Sequence, residues 1–484
     1  MDTIPETEPN RVIFQRRYVI TFLIFLTSVV IQSQRFNISF ALVCMVNDTK
    51  IHSNGMNATE CPELRNETDA DENENAEFSW DAELQGLILS STYLGFCLTQ
   101  FPGGLLCERF GVKKLFLVSI IIASVCNLFS PLAARTDPYL LFATHLIKGM
   151  GQGLPFAALS ILSARWFPKP EKGFLSTFIF TGYPVGNFLG SVISGPVCAL
   201  KLDNGWPWAF YIMGFFGIFV SILIMIFYVE YPRDDPNISE NELKYILENI
   251  SSTDEAERSP TPWREILSSV STYSLMIPMF GQYWMNYYLL TVQPLFMDDG
   301  LNIPVKENGL FTSAPQVVQA IASLTACWFS LWINKNDTSK INLARKGCNS
   351  LAVILFIFGL GGMYMSGCDI MWNIVFLFFC NAGLGFTFGG CLIVAVDMTP
   401  TYCGPFMGFL STIASLSGFI LPILTGQLTK YEQTLAQWHK LFLITMIIAT
   451  LDGVVFLLWG SAEIQSYDPA YQKEKSSEIT STHL

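Results

Sequence analysis

An arginine lies within the first apolar span of the chain, where a charged side chain is costly. Arg35 belongs to residues 18–46, a span long enough to cross a bilayer, and lies far from its charged N-terminal end. Ser28, Gln32, Arg35 and Ser39 follow one another at helical spacing, so they share one helix face. A guanidinium can bind a carboxylate or phosphate through two hydrogen bonds. The stripe predicts the wall of a water-filled cavity in which Arg35 binds an anion; a purely structural Arg35 is the alternative.

The fourth apolar span carries a second polar face. His145, Lys148 and Gln152 occupy it at helical spacing, in the stretch THLIKGMGQG. Two potentially cationic groups here would complement Arg35, so the cluster predicts an anionic substrate. The alternative for His145 is a buried histidine whose hydrogen bonds are satisfied within the protein.

Further candidates lie in the second and seventh spans. Residues 280–294 place Trp284 and Tyr287 on one helix, as a wall of the substrate site or as an aromatic anchor at the membrane interface. Tyr93 completes the set of predicted substrate contacts. Asp452 lies within the twelfth span and has no evident partner in the sequence. The chain shows no nucleophile with a base, no paired carboxylates and no metal cluster, so we expect no catalytic residue, no metal and no cofactor.

Composition identifies the elements that must position these residues. Of the 484 residues, 51% are hydrophobic and 14% charged, whereas a soluble domain has about 25% charged residues. The charges concentrate in short polar segments between long apolar spans, which predicts an all-α polytopic membrane protein. The net charge of −12 arises largely in two loops and does not indicate a nucleic-acid partner. Most of the twelve cysteines are expected to be small buried hydrophobes; Cys44 and Cys61 are the pair that could meet on the outer side.

About twelve spans of sufficient length are predicted, and a polar segment at 230–267 divides them into two six-helix bundles, 18–229 and 268–461. Residues 1–17 and 462–484 form terminal tails. The first span is too long for a cleavable signal peptide and is expected to act as a signal anchor. Gly182, Gly186 and Gly190 of the fifth span predict close helix packing. The predicted spans are 18–46, 83–107, 113–134, 139–164, 173–198, 207–229, 271–297, 309–333, 347–367, 370–396, 403–426 and 438–461.

Lysine and arginine in the short loops predict the orientation. They accumulate on the side that holds both termini, which is therefore expected to be cytoplasmic. The loop at 47–79 then faces the lumen or the exterior. It carries three glycosylation sequons, at Asn47, Asn57 and Asn66.

The stretch GGLLCERFGVKK, residues 103–114, resembles the loop between helices 2 and 3 of the major facilitator superfamily. The resemblance implies a charge latch that breaks as the two halves rock. The matching residues are Gly104, Glu108, Arg109, Gly111, Lys113 and Lys114, with glutamate in place of the usual aspartate.

A closer resemblance is to the anion/cation symporter family, which contains sialin, the vesicular glutamate transporters and the sodium–phosphate cotransporters. It covers roughly residues 18–465. The stretches that carry it are FSWDAELQGLILSSTYLGFCLTQFPGG (78–104), RWFPKPEKG (165–173), GWPWAFYIMGFFG (205–217), DPNISENELKYI (235–246), YYLLTVQPLFM (287–297) and DMTPTYCGPFMG (397–408).

This resemblance implies a role for several positions. The family's first-helix arginine, its main anion contact, corresponds to Arg35, and its fourth-helix arginine corresponds to His145. Its fourth-helix glutamate, which serves proton coupling in several members, corresponds to Gln152, which cannot titrate. Proton coupling would then fall to His145. The second-helix histidine and seventh-helix arginine of the vesicular glutamate transporters correspond to Leu89 and Tyr283, which disfavours glutamate as substrate.

The sequence therefore predicts a secondary active transporter of a small organic anion or inorganic phosphate. Coupling to sodium or protons and alternating access between two bundles are expected. A non-transporting membrane sensor on the same fold is the alternative, and an enzyme is disfavoured. The partners are a small anion and membrane lipids, in the plasma membrane or a lysosomal or vesicular membrane.

Overall fold

The computed structural model describes residues 15–46, 61, 77–168, 171–198, 200, 202–250, 261–336, 341–430, 434–469 and 471. Its α-helices are α1 Arg16–Met45, α2 Ala82–Phe110, α3 Val112–Thr136, α4 Pro138–Gly153, α5 Pro155–Trp166, α6 Lys172–Phe180, α7 Gly182–Cys198, α8 Trp206–Phe227, α9 Glu240–Asn249, α10 Trp263–Ser268, α11 Val270–Tyr287, α12 Gln293–Leu295, α13 Val305–Asn336, α14 Ile341–Ser366, α15 Ile370–Phe386, α16 Cys391–Met398, α17 Cys403–Thr429 and α18 Leu435–Trp459.

These helices join into long segments that match the predicted spans. Seven of the helical segments described are, by length and apolar composition, able to cross a membrane. They are Arg16–Met45, Val112–Thr136, Trp206–Phe227, Ile341–Ser366, Ile370–Met398, Cys403–Thr429 and Leu435–Trp459. The other long segments are α2, α4 with α5, α6 with α7, residues 270–300 and α13. The predicted all-helical membrane fold is confirmed.

Local sequence explains why some segments are broken. Pro155 lacks the amide hydrogen that would continue α4, and α5 begins at that proline. Residues 288–292 and 296–300 are π-helical and flank Pro294. Such wider turns inside an α-helix frequently mark functional sites, and the first of them begins directly after Tyr287.

The glycine stripe of α7 packs against α1, as its spacing predicts. A Cβ atom at Gly182 would lie 2.8 Å from the carbonyl oxygen of Phe25, and one at Gly186 would lie 2.9 Å from the Cβ atom of Gln32. Glycine removes this obstacle, so the two backbones approach closely. The polar face of α1 is thereby fixed against the rest of the first bundle.

We call the side at which α1 begins and α18 ends the terminal face, and the other side the opposite face. The two bundles, α1–α8 and α11–α18, meet along α2 and α17 and along α7 and α13. Near the opposite face, Lys430 forms an ion pair with Glu83. Closer to the terminal face, Ser415 donates to Oε1 of Gln100 at 2.9 Å. The bundles are therefore in contact near the opposite face and near the middle of α2 and α17.

Two disulfides lie at the opposite face. Cys44 at the end of α1 pairs with Cys198 at the end of α7, within the first bundle. Cys61 pairs with Cys368, which follows α14, and so joins the first long loop to the second bundle. Cys44 and Cys61, which the sequence left as a possible pair, are not bonded to each other, because each has a partner far away in sequence. Most of the cysteines outside these pairs are buried, as expected.

Candidate functional site

Arg35 lies near the middle of α1 with 4% of its surface exposed. Its guanidinium carbon is 4.1 Å from the centre of the Phe96 ring and 6.0 Å from that of Tyr93, both on α2. Its Nε donates to Oε1 of Gln152 at 3.2 Å. Its Nη2 atom is buried and has no hydrogen-bond partner among the described residues. A buried charge with an open donor is suited to an anion, because each unpaired buried polar group is otherwise costly.

Gln152 reaches Arg35 because α4 packs very closely on α2. A Cβ atom at Gly149 would overlap the carbonyl oxygen of Thr92, and one at Gly153 would overlap the hydroxyl of Thr99. The amide of Gln152 also donates to the carbonyl oxygen of Ile31 at 3.3 Å. An uncharged side chain is therefore held between α4 and α1, and it leaves the positive charge of Arg35 uncompensated.

Tyr287 of the second bundle closes the site by packing on Tyr93 of the first. The rings of Tyr93 on α2 and Tyr287 on α11 lie 4.4 Å apart, and the Tyr287 ring lies 5.8 Å from that of Tyr283. Gly418 on α17 makes room for the pair, since a Cβ atom there would lie 2.7 Å from both rings. The predicted candidates Arg35, Gln152, Tyr93 and Tyr287 are thus brought together at the contact between the bundles.

The other polar residues of α4 turn elsewhere. The two ring nitrogens of His145 each lie 3.2 Å from a hydroxyl, that of Thr92 on α2 and that of Ser130 on α3. Lys148 donates from Nζ to the carbonyl oxygen of Gln34 at 2.8 Å and to Oδ1 of Asn127 at 3.1 Å. His145 therefore has the satisfied, buried environment that was its alternative interpretation.

Two further predicted candidates, Gln32 and Trp284, differ in their surroundings. Gln32, on the face of α1 predicted to be polar, is buried, and its Oε1 atom has no partner among the described residues. Trp284 instead donates from its indole nitrogen to the Thr445 hydroxyl of α18 at 3.2 Å. Its side chain is held inside the second bundle.

The segment that follows α8 at the terminal face contains an acidic residue that was not predicted from the sequence. Glu230 accepts hydrogen bonds at 2.9 Å from the backbone nitrogens of Val112 and Lys113, and it forms an ion pair with Arg165. Its carboxylate thus caps the N-terminus of α3, where the helix dipole favours a negative charge. The signal was present in the sequence, as the first acidic residue after the sixth span.

Two of the predicted latch residues, Gly111 and Lys113, adjoin this cap. Gly111 adopts φ +87°, a conformation that favours glycine, and a Cβ atom there would contact the Glu230 carboxylate at 3.4 Å. Arg109 and Lys114 are exposed, and Lys113 is half-buried. Gly104 lies in α2, and the side chain of Glu108 is outside the described part of the structure. The sequons at Asn47, Asn57 and Asn66 also lie outside the described residues.

A second buried charge, Asp452, lies inside the second bundle. Its Oδ2 accepts from Nε2 of Gln282 at 2.7 Å, and its Oδ1 accepts from Nδ2 of Asn349 at 3.1 Å. Nε2 of Gln282 also donates to Oδ1 of Asn349 at 3.1 Å. These amides on α11 and α14 are the partners that the sequence did not reveal.

Comparison with known proteins agrees with this architecture. The profile of the Major Facilitator Superfamily matches residues 24–422. The chain belongs to the major facilitator superfamily. In this superfamily, its fold is similar to that of a D-xylose–proton symporter, with a TM-score of 0.68 and 14% identity over 93% of this chain and 99% of the other. A bacterial homologue of the human lysosomal transporter Spinster aligns with a TM-score of 0.65 and 14% identity, over 94% and 97% of the two chains.

Relatives within the superfamily carry the names that the motifs predicted. A putative inorganic phosphate cotransporter of Drosophila melanogaster is 29% identical over 99% of this chain and 90% of its own length. Human sialin is 28% identical over 96% and 93%. Sodium-dependent phosphate transport protein 1 of Oryctolagus cuniculus is 26% identical over 93% and 95%. The predicted relationship to the anion/cation symporters is confirmed.

Proposed function

We propose that this protein is an ion-coupled secondary transporter of a small organic anion or inorganic phosphate. The observation that carries the proposal is the buried Arg35 guanidinium, with its open Nη2 donor, at the tyrosine contact between the two bundles. The names of the relatives, sialin and phosphate cotransporters, support the same substrate class. Arg35 binds the anion, and Tyr93, Tyr287, Gln32 and Gln152 line the site.

Alternating access follows from this placement. The substrate charge sits against α1, α2 and α4 of the first bundle and is covered by α11 of the second. Rocking of one bundle on the other would expose Arg35 to one side of the membrane at a time. The terminal face, rich in lysine and arginine, is cytoplasmic in this proposal, and the protein lies in the plasma membrane or in a lysosomal or vesicular membrane.

Proteoliposome uptake tests the proposal. Labelled phosphate, sialic acid, glutamate and urate are offered under imposed sodium or proton gradients, with wild type compared with Arg35→Ala and Arg35→Lys. We expect gradient-dependent uptake of one anion other than glutamate, its loss in Arg35→Ala, and weak uptake in Arg35→Lys, because lysine cannot bind a carboxylate or phosphate through two parallel hydrogen bonds.

Arg135→Ala is the matched control, since this arginine pairs with Glu77 and Asp203 at the opposite face, outside the site. Uptake that survives in Arg35→Ala would show that the arginine is structural. Absence of uptake for all four anions in folded wild type would favour the sensor alternative.

A further inference from the structure

The second bundle holds a carboxylate that no described cation neutralises. Asp452 is fully buried, and the ion pairs of the described residues do not include it. Its contacts are the two amide groups of Gln282 and Asn349. An acidic side chain in the membrane interior is costly and marks ion pathways and proton relays in transporters. A carboxylate that were only structural would normally be paired with a cation.

One acceptor atom in the amides around Asp452 lacks a hydrogen bond. Oε1 of Gln282 is buried and has no donor among the described residues. A protonated Asp452 supplies the missing donor, because a carboxylic acid has one O–H that an ionised carboxylate lacks. Rotation of the Gln282 amide would then place Oε1 toward the acid. Protonation of Asp452 would thus give Oε1 of Gln282 the donor that it lacks beside the ionised carboxylate.

The same geometry disfavours a metal ion as ligand. Both amides direct N–H groups at the carboxylate, whereas a sodium ion requires oxygen atoms there. Transporters commonly bind sodium with carbonyl oxygens of unwound helices, but α11, α14 and α18 are continuous at these three residues. Close packing of α11 on Asp452 also disfavours a metal ion, since a Cβ atom at Gly281 would lie 2.6 Å from the Cβ atom of Asp452.

Other titratable groups on the packed helices do not supply a counter-charge. The guanidinium of Arg345 on α14 binds Asp397 at 3.0 Å and Ser330 at 2.6 Å. The Tyr283 ring on α11 packs on Tyr287. α17 contains no charged residue. Cys391 on α16 lies close enough to Asp452 to interact with it electrostatically and adds no positive charge.

We propose that Asp452, with Gln282 and Asn349, is the site that binds the coupling proton. One proton from water on one side of the membrane adds to the carboxylate, and it is released to water on the other side after the bundles rock. Asp452 lies seven residues before Trp459, the end of α18, so roughly 10 Å of helix separate it from the terminal face. The inference rests on the proposed transport function.

α11 links this proton site to the anion site. Gln282 binds Asp452, and the adjacent Tyr283 packs on Tyr287, whose ring covers the Arg35 site through Tyr93. Rotation of the Gln282 amide on protonation would thus act on the helix that closes the anion site. The π-helical turn at 288–292 gives α11 a place to adjust.

A transport experiment separates binding from coupling. Full-length protein is reconstituted into proteoliposomes. Exchange of phosphate or sialic acid across the membrane is measured, and so is the accumulation of either anion that a pH gradient drives. We expect Asp452→Asn to retain exchange and to lose pH-driven accumulation, while Asp452→Glu retains both and Arg135→Ala behaves as wild type. Accumulation that persists in Asp452→Asn overturns the proposal. Wild-type accumulation that instead requires a sodium gradient and Asp452 overturns it in favour of a sodium site.

A second measurement needs no substrate, so it separates failure of this inference from failure of the proposed function. Infrared difference spectra of the purified protein in lipid are recorded between about pH 5 and pH 9, the range in which a perturbed buried acid titrates. We expect a carboxylic acid band on acidification that disappears in Asp452→Asn, persists in Asp397→Asn and shifts in Asp452→Glu. If Asp452→Asn does not fold, the shift in Asp452→Glu decides. Spectra without a band that responds to residue 452 overturn the proposal.

Discussion

Nε of Arg35 and Oε1 of Gln152 are joined by one hydrogen bond of 3.2 Å between α1 and α4. The amide is neutral, so it orients the guanidinium without cancelling its charge. A carboxylate at the same place would form an ion pair and compete with any anionic substrate. The residue at position 152 therefore decides how much of the Arg35 charge remains available.

Gln152→Glu is expected to weaken anion binding. An ionised glutamate would occupy the guanidinium, and a hydrogen bond to a charged group contributes about 1.5–3 kcal/mol, which corresponds to roughly tenfold or more in affinity. The loss should grow with rising pH, because the ionised glutamate competes and the protonated one does not. The apparent KM for the transported anion across a pH series checks this. Gln152→Met, without charge, is the control, and unchanged affinity of Gln152→Glu at alkaline pH would contradict the assignment.

Tyr93 and Tyr287 are expected to act as a pair. An aromatic pair contributes about 0.5–1.5 kcal/mol beyond the area it buries. The effects of Tyr93→Leu and Tyr287→Leu on thermal unfolding should therefore be non-additive in the double variant. Tyr93→Leu with Trp284→Leu is the control pair, since Trp284 binds Thr445 instead. Additivity of the Tyr93 and Tyr287 effects would show that the ring contact contributes nothing.

His145→Leu is expected to lower the thermal stability of the purified protein. The substitution leaves the hydroxyl of Thr92 without its ring partner, at a cost of about 1–3 kcal/mol for the unsatisfied group. The hydroxyl of Ser130 keeps its hydrogen bond to the carbonyl oxygen of Cys126 at 2.8 Å. His145→Gln should recover part of this loss. Uptake measured between about pH 5.5 and 7.5, around the ordinary histidine pKa, should keep its wild-type pH dependence in His145→Gln. Loss of that dependence would return the coupling role to His145.

Glu230→Gln is expected to destabilise the loop at the terminal face. It removes a charge from the N-terminus of α3 and from Arg165, and a helix-terminal charge contributes about 0.3–1 kcal/mol. A fall in the unfolding midpoint measures the effect. Glu248→Gln is the matched control, because Glu248 forms an exposed pair with Lys244 at 3.9 Å, and such pairs contribute about 0–1 kcal/mol. Equal midpoints for the two variants would show that the cap is not stabilising.

The pairing of Cys61 with Cys368 predicts that the two bundles stay linked after the chain is cut between them. A protease site inserted between residues 250 and 261 is cleaved in folded protein, and the products are separated in denaturant without reductant. The halves should migrate together in wild type and in Cys44→Ser, and separately in Cys368→Ser. Separation of the halves in unreduced wild type would refute the pairing.

The sequence predicted the helices well because apolar length and spacing determine membrane spans. The helices begin and end within six residues of their predicted limits, the largest difference being 347 against 341 at the start of α14. Arg35 could be recognised as readily, because an apolar span of this kind contains few charged side chains.

The directions of the side chains on α4 were not predictable in the same way. His145 and Gln152 share a helix face, but seven residues of helix separate them by roughly 10 Å along the axis. They consequently meet different neighbours, α2 and α3 for His145 and α1 for Gln152. Likewise, the partners of Asp452 lie 103 and 170 residues away in sequence, and no local pattern encodes such a contact.

The two disulfides have a consequence for the compartments on either side of the membrane. Disulfides form and persist in oxidising surroundings and are rare in the reducing cytosol. Both bridges lie at the opposite face, whereas the thiols of Cys348 and Cys391, on the terminal side of the second bundle, are not disulfide-bonded. Redox chemistry therefore favours a lumenal or external opposite face, and it does so independently of the lysines and arginines from which the orientation was first inferred.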